Sequence, residues 1–196
     1  MGGESSTAAS ARRQHIIKVA IGVFLRYGYA RTTLADIAKA AGLARTALYL
    51  VFSDKEAIFS AVVETMVTEK LSGIRRGLPG KSGFEAKLRF ACESWAAEGF
   101  ELVRAHPDAK DMFDLGFASV CESYSAFEEL LVEIVKEPLR EAALNIQPKE
   151  LAHVIAFAMK GFKDIARDGK QMRRMIGVQV ALIAAALRPP TKKRKE

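Results

Sequence analysis

A short stretch of the sequence, residues 45–50, carries side chains of the kinds that read DNA bases. Arg45 can form a bidentate hydrogen bond with guanine, a contact worth about 1–3 kcal/mol of discrimination against other bases. Thr46 offers a hydroxyl and a methyl group to a base edge. Ala47 and Leu50 are apolar and can pack against the methyl group of thymine. We therefore predict that this stretch contacts base edges in DNA.

Three further side chains are candidates for contacts with DNA phosphates. Thr33 has a hydroxyl beside backbone N–H groups at a helix start, Tyr49 has a phenol, and Lys55 places a cation at another helix N-terminus. Each also has an ordinary structural interpretation: a helix cap for Thr33, a half-buried core residue for Tyr49 and a solvated charge for Lys55. Because the three occur together at this spacing, within or near the base-reading stretch, we favour phosphate contacts. Such contacts would fix the register on DNA.

These side chains need two short helices that cross closely, and residues 33–52 predict that scaffold. Thr33 caps a helix over residues 34–41, and a second helix follows. Ala38 is small enough for a close helix crossing, and Gly42 suits a turn that needs a positive φ. The pattern indicates a helix-turn-helix. Its apolar positions fix the helices against each other: Leu34, Ile37, Ala41, Leu43, Leu48 and Val51.

The rest of the chain is also helical in its periodicity, and no stretch alternates long enough to predict a strand. A first helix runs over residues 12–27 and ends at Gly28, which supplies a left-handed stop. The sequence therefore predicts an all-α protein, with a three-helix helix-turn-helix domain and a larger C-terminal helical domain. The predicted divisions are a disordered N-terminal arm at 1–10, the DNA-binding domain at 11–55, the C-terminal domain at 56–188 and a basic tail at 189–196.

The charge distribution indicates a polyanionic partner for one end of the chain. The 196 residues carry a net charge of +7. Residues 1–60 hold eight Lys or Arg against four Asp or Glu, whereas residues 61–187 are nearly neutral. A basic head on a nearly neutral body is typical of a protein that binds nucleic acid, although an ordinary solvated surface has the same composition.

Several other classes of protein are disfavoured. No set of histidine, cysteine or carboxylate residues has metal-site spacing and no nucleophile motif occurs, so we predict no metal, no cofactor and no enzyme. No apolar run reaches the ~18 residues of a membrane span. Residues 1–14 contain no hydrophobic signal segment, so we expect a cytoplasmic protein. Cys92 and Cys121 lie among apolar residues, which favours buried reduced thiols.

Residues 14–63 resemble the N-terminal domain of TetR-family transcriptional regulators. The similar run is IIKVAIGVFLRYGYARTTLADIAKAAGLARTALYLVFSDKEAIFSAVVE. Its specific marks are Phe24, Gly28, Thr33, Ile37, Ala38, Gly42, Leu48, Tyr49, Phe52, Lys55 and Glu56. The resemblance implies a subunit of about nine helices that dimerises through its last two. It also implies a small ligand in the C-terminal half that spreads the two heads and releases the operator.

Two residues depart from the family pattern on the reading face. The residue before the recognition helix is usually Ser or Thr in the family, whereas Ala44 cannot cap a helix. The residue after Tyr49 is commonly His, Arg or Tyr, whereas Leu50 makes no polar contact. These changes keep the prediction of DNA binding but alter the base contacts that the family pattern implies.

Aromatic and methionine residues cluster between positions 84 and 127, with few charges among them. Such a cluster is more often plain core than a ligand site. The resemblance nevertheless implies that these helices line a cavity, and the scarcity of charge favours an apolar or aromatic effector over a phosphorylated one. The candidate ligand-binding residues are Trp95, Phe117, Cys121 and Tyr124.

The last two predicted helices, over residues 149–167 and 171–187, are apolar over a wide arc. An internal helical hairpin would satisfy this pattern, but we favour a four-helix interface between two subunits. Two-fold symmetry would then predict a palindromic operator. The candidate interface residues are Val154, Phe157, Ala158, Phe162, Ile176, Val180, Ile183 and Ala184.

Together these patterns predict a homodimeric transcriptional repressor that binds double-stranded operator DNA and leaves it when a small, mainly apolar ligand binds. Two alternatives stay open, namely an activator of the same family and a ligand-independent DNA-organising protein. The basic tail at 189–196 fits the second alternative, although a solubilising tail is the simpler interpretation. An enzyme with a vestigial head is disfavoured because the chain offers no catalytic constellation.

Overall fold

The structure is a computed structural model that describes residues 3–188. Within these residues there are nine α-helices and no strand, which confirms the predicted all-α class. The predicted tail at 189–196 and the first two residues of the predicted arm lie outside the described residues. The helices are α1 (Gly3–Arg31), α2 (Leu34–Ala40), α3 (Arg45–Tyr49), α4 (Lys55–Gly77), α5 (Gly83–Cys92), α6 (Glu98–Ala105), α7 (Ala118–Ala142), α8 (Pro148–Ile165) and α9 (Gly169–Ala186).

Helix α1 begins earlier than the sequence predicts. It starts at Gly3, whereas a disordered arm was expected over residues 1–10. Residues 4–21 contain neither glycine nor proline. A helix that forms around Arg12 can therefore extend towards the N-terminus without meeting a helix breaker.

The described residues form two compact units, and neither is a single run of sequence. The N-terminal unit contains residues 3–69 and 103–123, and the C-terminal unit contains residues 70–102 and 124–188. The sequence placed one boundary between residues 55 and 56. The difference arises because a 3₁₀ segment at Pro107–Phe113, far along the chain, packs against α1.

The backbone of α1 turns sharply at Gly28, and this corner is where the 3₁₀ segment is attached to α1. Gly28 has φ 76° and ψ 170°, so the predicted positive φ is confirmed. Beyond the corner, the Asp111 carboxylate accepts hydrogen bonds from the backbone N–H groups of Tyr29, at 2.9 Å, and Ala30, at 2.8 Å. A Cβ atom added at Gly28 would collide with the carbonyl oxygen of Asp108. The backbone turns here only because the residue has no side chain.

An aromatic cluster forms the centre of the N-terminal unit. The Phe59 ring contacts three others, with centroid distances of 5.5 Å to Phe24, 4.8 Å to Tyr29 and 4.7 Å to Phe117. Phe24 and Phe59 are fully buried. Phe117 is half-buried and packs against this cluster in the N-terminal unit.

A π-helical turn distinguishes the C-terminal unit. A π turn at Glu93–Ala97 lies between α5 and α6. Helices α8 and α9 both contact this turn, and α9 also packs against α5. Trp95 lies in the middle of the turn and stacks on Phe127, with ring centroids 4.5 Å apart. Turns of this kind occur frequently at functional sites.

Candidate nucleic-acid interface

Helix α2 begins with a complete capping box. The Thr33 hydroxyl oxygen accepts from the N–H of Asp36 at 3.2 Å, and the Asp36 carboxylate accepts from the N–H of Thr33 at 2.9 Å. The Thr33 hydroxyl also donates to this carboxylate. These hydrogen bonds lower the pKa of Asp36. The structural role predicted for Thr33 is confirmed, and a phosphate contact by its exposed side chain stays a prediction.

The turn between α2 and α3 has the predicted geometry. Gly42 has φ +66°, and the N–H of Leu43 donates to the carbonyl of Ala38 at 2.9 Å. Ala44 occupies the N-cap of α3 and makes no side-chain hydrogen bond. The first N–H groups of α3 are therefore left without a side-chain cap, at the end of the helix that is predicted to enter DNA.

Helix α3 divides its side chains between a core and an exposed face. Leu48 is fully buried and Ala47 is half-buried, whereas Arg45, Thr46, Tyr49 and Leu50 are exposed. Leu50 is 80% exposed, which is unusual for a large apolar side chain that has a folded core to join. The residues predicted to read DNA therefore form one solvent-facing surface.

Arg45 is already oriented by its own helix. Its guanidinium donates to the Tyr49 hydroxyl at 3.2 Å, and its charged carbon lies 5.8 Å from the centre of the Tyr49 ring. The two residues are four apart and so share one side of α3. This contact restricts the arginine, because the tyrosine presents both a hydrogen-bond acceptor and an aromatic face. Both groups stay solvent accessible.

Lys55 has a different role from the one predicted. Its ammonium donates to the backbone carbonyls of Tyr29, at 2.8 Å, and Thr32, at 3.0 Å, and lies 4.2 Å from the centre of the Tyr29 ring. The interpretation of Lys55 as a solvated charge is therefore wrong, and a phosphate contact by Lys55 stays a prediction. Lys55 ties the start of α4 to the end of α1, since it satisfies carbonyls that a helix end leaves unpaired.

We expect Lys55→Met to lower the free energy of unfolding by about 1–3 kcal/mol, because hydrogen bonds from a charged donor are lost and their acceptors remain part-buried. Urea unfolding followed by circular dichroism measures this change. Lys18→Met is the matched control, since Lys18 is exposed on α1, and it should change stability by less than about 0.5 kcal/mol. Equal stability of the two variants would contradict the structural role of Lys55.

Three contacts in this unit were not predicted from the sequence, although Asp54 is of a type that often caps helices. Asp54 caps α4 by accepting from the N–H of Ala57 at 2.7 Å, and this bond lowers the pKa of Asp54. The His15 ring hydrogen-bonds the carbonyl of Ala41 at 3.1 Å. The guanidinium of Arg13 lies 5.0 Å from the Phe52 ring centre. The last two contacts join residues far apart in sequence, so only the fold brings them together.

The four predicted ligand-binding residues are divided between the two units. Trp95 and Tyr124 belong to the C-terminal unit, where their ring centroids are 6.2 Å apart. Phe117 packs in the N-terminal unit, as described above. Cys121 is exposed and its Sγ contacts the carbonyl of Leu115, so the expectation of a buried thiol holds for Cys92 and is wrong for Cys121.

The predicted dimer residues also divide into two groups. Ile176 and Val180 are fully buried inside the chain, so the structure contradicts their assignment to an interface. They face inward because α9 packs against α5 on that side. The other predicted residues are exposed or half-buried: Val154, Phe157, Ala158, Phe162, Ile183 and Ala184. Two further apolar residues of α9 that were not among the predicted ones, Val178 and Leu182, are exposed on the side opposite the core.

None of the described helices is both long and apolar enough to cross a bilayer.

Residues 16–62 match the family model described as bacterial regulatory proteins of the tetR family. Over 64 residues the chain is 42% identical to the HTH-type transcriptional regulator AcrR of Shigella flexneri, a match that covers 33% of this chain and 30% of that protein. The chain therefore spans about a third of the length of this curated relative.

Solved structures share the helical fold over most of the chain. The fatty acid degradation regulator FadR of Bacillus halodurans aligns with a TM-score of 0.68 at 18% identity, covering 86% of this chain and 94% of that one. A TetR-family transcriptional regulator of Pectobacterium atrosepticum aligns with a TM-score of 0.66 at 20% identity, covering 93% and 98%. At these identities the similarity shows a common fold.

Proposed function

We propose that this chain, whose N-terminal domain belongs to the tetR family of bacterial regulatory proteins, is a ligand-responsive transcriptional repressor that acts in the cytoplasm. It binds a palindromic operator as a homodimer and leaves it when a small, mainly apolar ligand binds. The observation that carries the proposal is the exposed face of α3, where Arg45, Thr46, Tyr49 and Leu50 face solvent on a capped, closely packed scaffold.

The chemistry of this face supports sequence-specific binding over general attraction to DNA. A non-specific binder needs only positive charge, since counterion release supplies its affinity. Helix α3 and its C-cap residue Leu50 carry a single cation, Arg45, beside a hydroxyl, a phenol and the exposed leucine. These groups complement hydrogen-bonding edges and thymine methyl groups in the major groove. Selectivity for base sequence is therefore the function that they fit best.

Selection of bound sequences from a random DNA pool tests the proposal. The purified chain should enrich a palindrome with two half-sites, and its affinity for that sequence should exceed its affinity for scrambled DNA by about 10³-fold or more. Repeating the titration over a range of salt concentrations separates phosphate contacts from base contacts. Equal affinity for every sequence would contradict the proposal and indicate a DNA-organising protein.

Repression is tested separately on a template that carries the selected sequence within a promoter. Because a dimer bound across that site would exclude polymerase, adding the chain should reduce the transcript. An increase in transcript would instead indicate an activator.

The exposed apolar residues of α8 and α9 support the homodimer. Val154 on α8 is 60% exposed, and Val178 and Leu182 on α9 are 57% and 67% exposed. Apolar side chains clustered on neighbouring helices are typical of a subunit interface, because their burial removes them from water. A two-fold axis between two copies would place the same helices of both subunits in one four-helix interface.

We expect Leu182→Glu to raise the dissociation constant of the dimer by at least about a hundredfold, because the interface would then bury an unpaired carboxylate in each subunit. Analytical ultracentrifugation over a range of protein concentrations measures the change. Ile146→Glu is the matched control, since Ile146 is 42% exposed and lies outside both helices. If both variants stay dimeric, α9 is not part of the interface.

A further inference from the structure

The side chain of Lys163 on α8 is half-buried and lies within the C-terminal unit. A Cβ atom added at Gly99 on α6 would lie 3.6 Å from the Nζ atom of Lys163, so the ammonium lies against the Gly99 backbone. The same Nζ is 5.9 Å from the centre of the Tyr124 ring on α7. Among the described residues, no carboxylate forms an ion pair with Lys163 and no acceptor takes a hydrogen bond from it.

Burial has a measurable consequence for this ammonium. Removal from water lowers the pKa of Lys163 to about 8. Two nearby charges have smaller effects on this pKa: Asp164 raises it and Lys160 lowers it. At neutral pH the group is therefore still mainly charged. A charge that is partly removed from water and has no partner is unfavourable, and an anion that paired with it would relieve that penalty.

A second unpaired donor lies beside the same tyrosine. The indole Nε1 of Trp95 is buried and has no hydrogen-bond partner. Trp95 makes an edge contact with Tyr124, with ring centroids 6.2 Å apart. Gly99, against which the Lys163 ammonium lies, follows Trp95 by four residues, so the two positions are about one helical turn apart. Two side chains that carry unpaired N–H donors, Lys163 and Trp95, therefore lie beside one aromatic ring.

We propose that Lys163 and Trp95 bind an organic carboxylate with a flat apolar body. The carboxylate accepts hydrogen bonds from Nζ and Nε1, and the apolar body packs beside Tyr124 and Phe157, whose ring centroids are 5.5 Å apart. This inference rests on the proposed function, since the carboxylate would be the effector of that regulator. It adds a single negative charge to a ligand that is otherwise apolar.

The number and type of donors determine the class of ligand. One cation and one neutral N–H match the single charge and two oxygens of a carboxylate. A phosphate monoester carries up to two negative charges and three acceptor oxygens, which these two donors would leave largely unpaired. The surrounding aromatic rings favour a flat body, because stacked and edge contacts between rings add to the burial of apolar surface.

Benzoate and benzamide are suitable probes, because they have the same shape and differ in charge. Trp95 is the only tryptophan in the chain, so its fluorescence reports binding at the proposed site, and calorimetric titration reports binding whether or not the fluorescence changes. We expect benzoate to bind the full chain about tenfold more tightly than benzamide, because its hydrogen bonds are charge-assisted.

Variants of Lys163 test the origin of this preference. Lys163→Met should remove the advantage of benzoate and leave the affinity for benzamide almost unchanged, whereas Lys163→Arg should retain most of the advantage. Lys149→Met is the control, since Lys149 is exposed on the same helix, and it should behave like the unmodified chain. Thermal unfolding of each variant establishes that it is folded.

Two results would overturn the proposal: equal affinity of the chain for both probes, or an advantage of benzoate that survives Lys163→Met. Neither result bears on DNA binding, which is measured separately with the selected operator sequence. Conversely, loss of sequence preference for DNA would contradict the proposed function and leave the carboxylate site standing as a binding site.

Discussion

Replacing Gly28 by alanine is expected to lower the free energy of unfolding by about 2–4 kcal/mol. With φ 76° and ψ 170°, Gly28 occupies a region of backbone conformation that is essentially restricted to glycine. The new methyl group would also collide with the carbonyl of Asp108 and come within 2.8 Å of the Asp111 carboxylate. Because neither a backbone carbonyl nor a capping carboxylate can move freely, relief requires the 3₁₀ segment to separate from α1.

Gly22→Ala is the matched control, because it adds the same methyl group to the same helix. Gly22 lies in α1, and a Cβ atom there would have no neighbour within 4 Å. Alanine favours helix more than glycine does, so this change should raise the free energy of unfolding by about 0.5–1 kcal/mol. Urea unfolding followed by circular dichroism compares the variants. If Gly28→Ala and Gly22→Ala changed the free energy of unfolding in the same direction, the conformation of Gly28 would not be important for stability.

Arg45→Ala is expected to abolish selectivity at one base pair of each half-site, a loss of about 1–3 kcal/mol, or about 5- to 150-fold, in discrimination. Arg45 is the sole cation on α3, and its guanidinium is exposed and held by Tyr49. Competition between the selected operator and its single-base variants measures the preference at each position. The other positions should keep their ranking, since Thr46 and Leu50 are unchanged.

Lys39→Ala removes the same charge from a neighbouring position and serves as the control. Lys39 is exposed near the end of α2, outside the reading helix. Its loss should weaken binding to all sequences by a similar factor, if it changes binding at all, because phosphate contacts carry no sequence information directly. Two results would show that the assignment of Arg45 to a base contact is wrong. One is that Lys39→Ala removes the base preference at the same position of the half-site, and the other is that Arg45→Ala weakens binding to every sequence equally.

The sequence predicts the helix-turn-helix well because its determinants are local. The capping box joins Thr33 to Asp36, three residues away, and the turn depends on Gly42 alone. Leu48 is buried as its spacing requires. Short-range rules of capping, glycine conformation and helical period are therefore sufficient to predict this part of the fold.

The errors in prediction arise where distant residues decide the outcome. Lys55 binds a carbonyl 26 residues away, so its sequence neighbours indicate only a charge at a helix start. Phe117 joins an aromatic cluster built mainly from the first 60 residues. On α9, apolar residues occupy a wide arc, and helical period alone does not distinguish Ile176, which is buried, from Val178, which is exposed. Tertiary packing selects the inward side.

The carboxylate of Asp111 makes the N-terminal unit depend on a segment far along the chain. A fragment that ended at residue 69 would lack the acceptor for the N–H groups of Tyr29 and Ala30 and would expose the cluster that Phe117 covers. A chimaera that exchanged heads at one crossover point would carry the same defect. Grafting this head onto another body therefore requires three joints, after residues 69, 102 and 123. Recombination between related genes would face the same constraint, so this head and its body are expected to be inherited together.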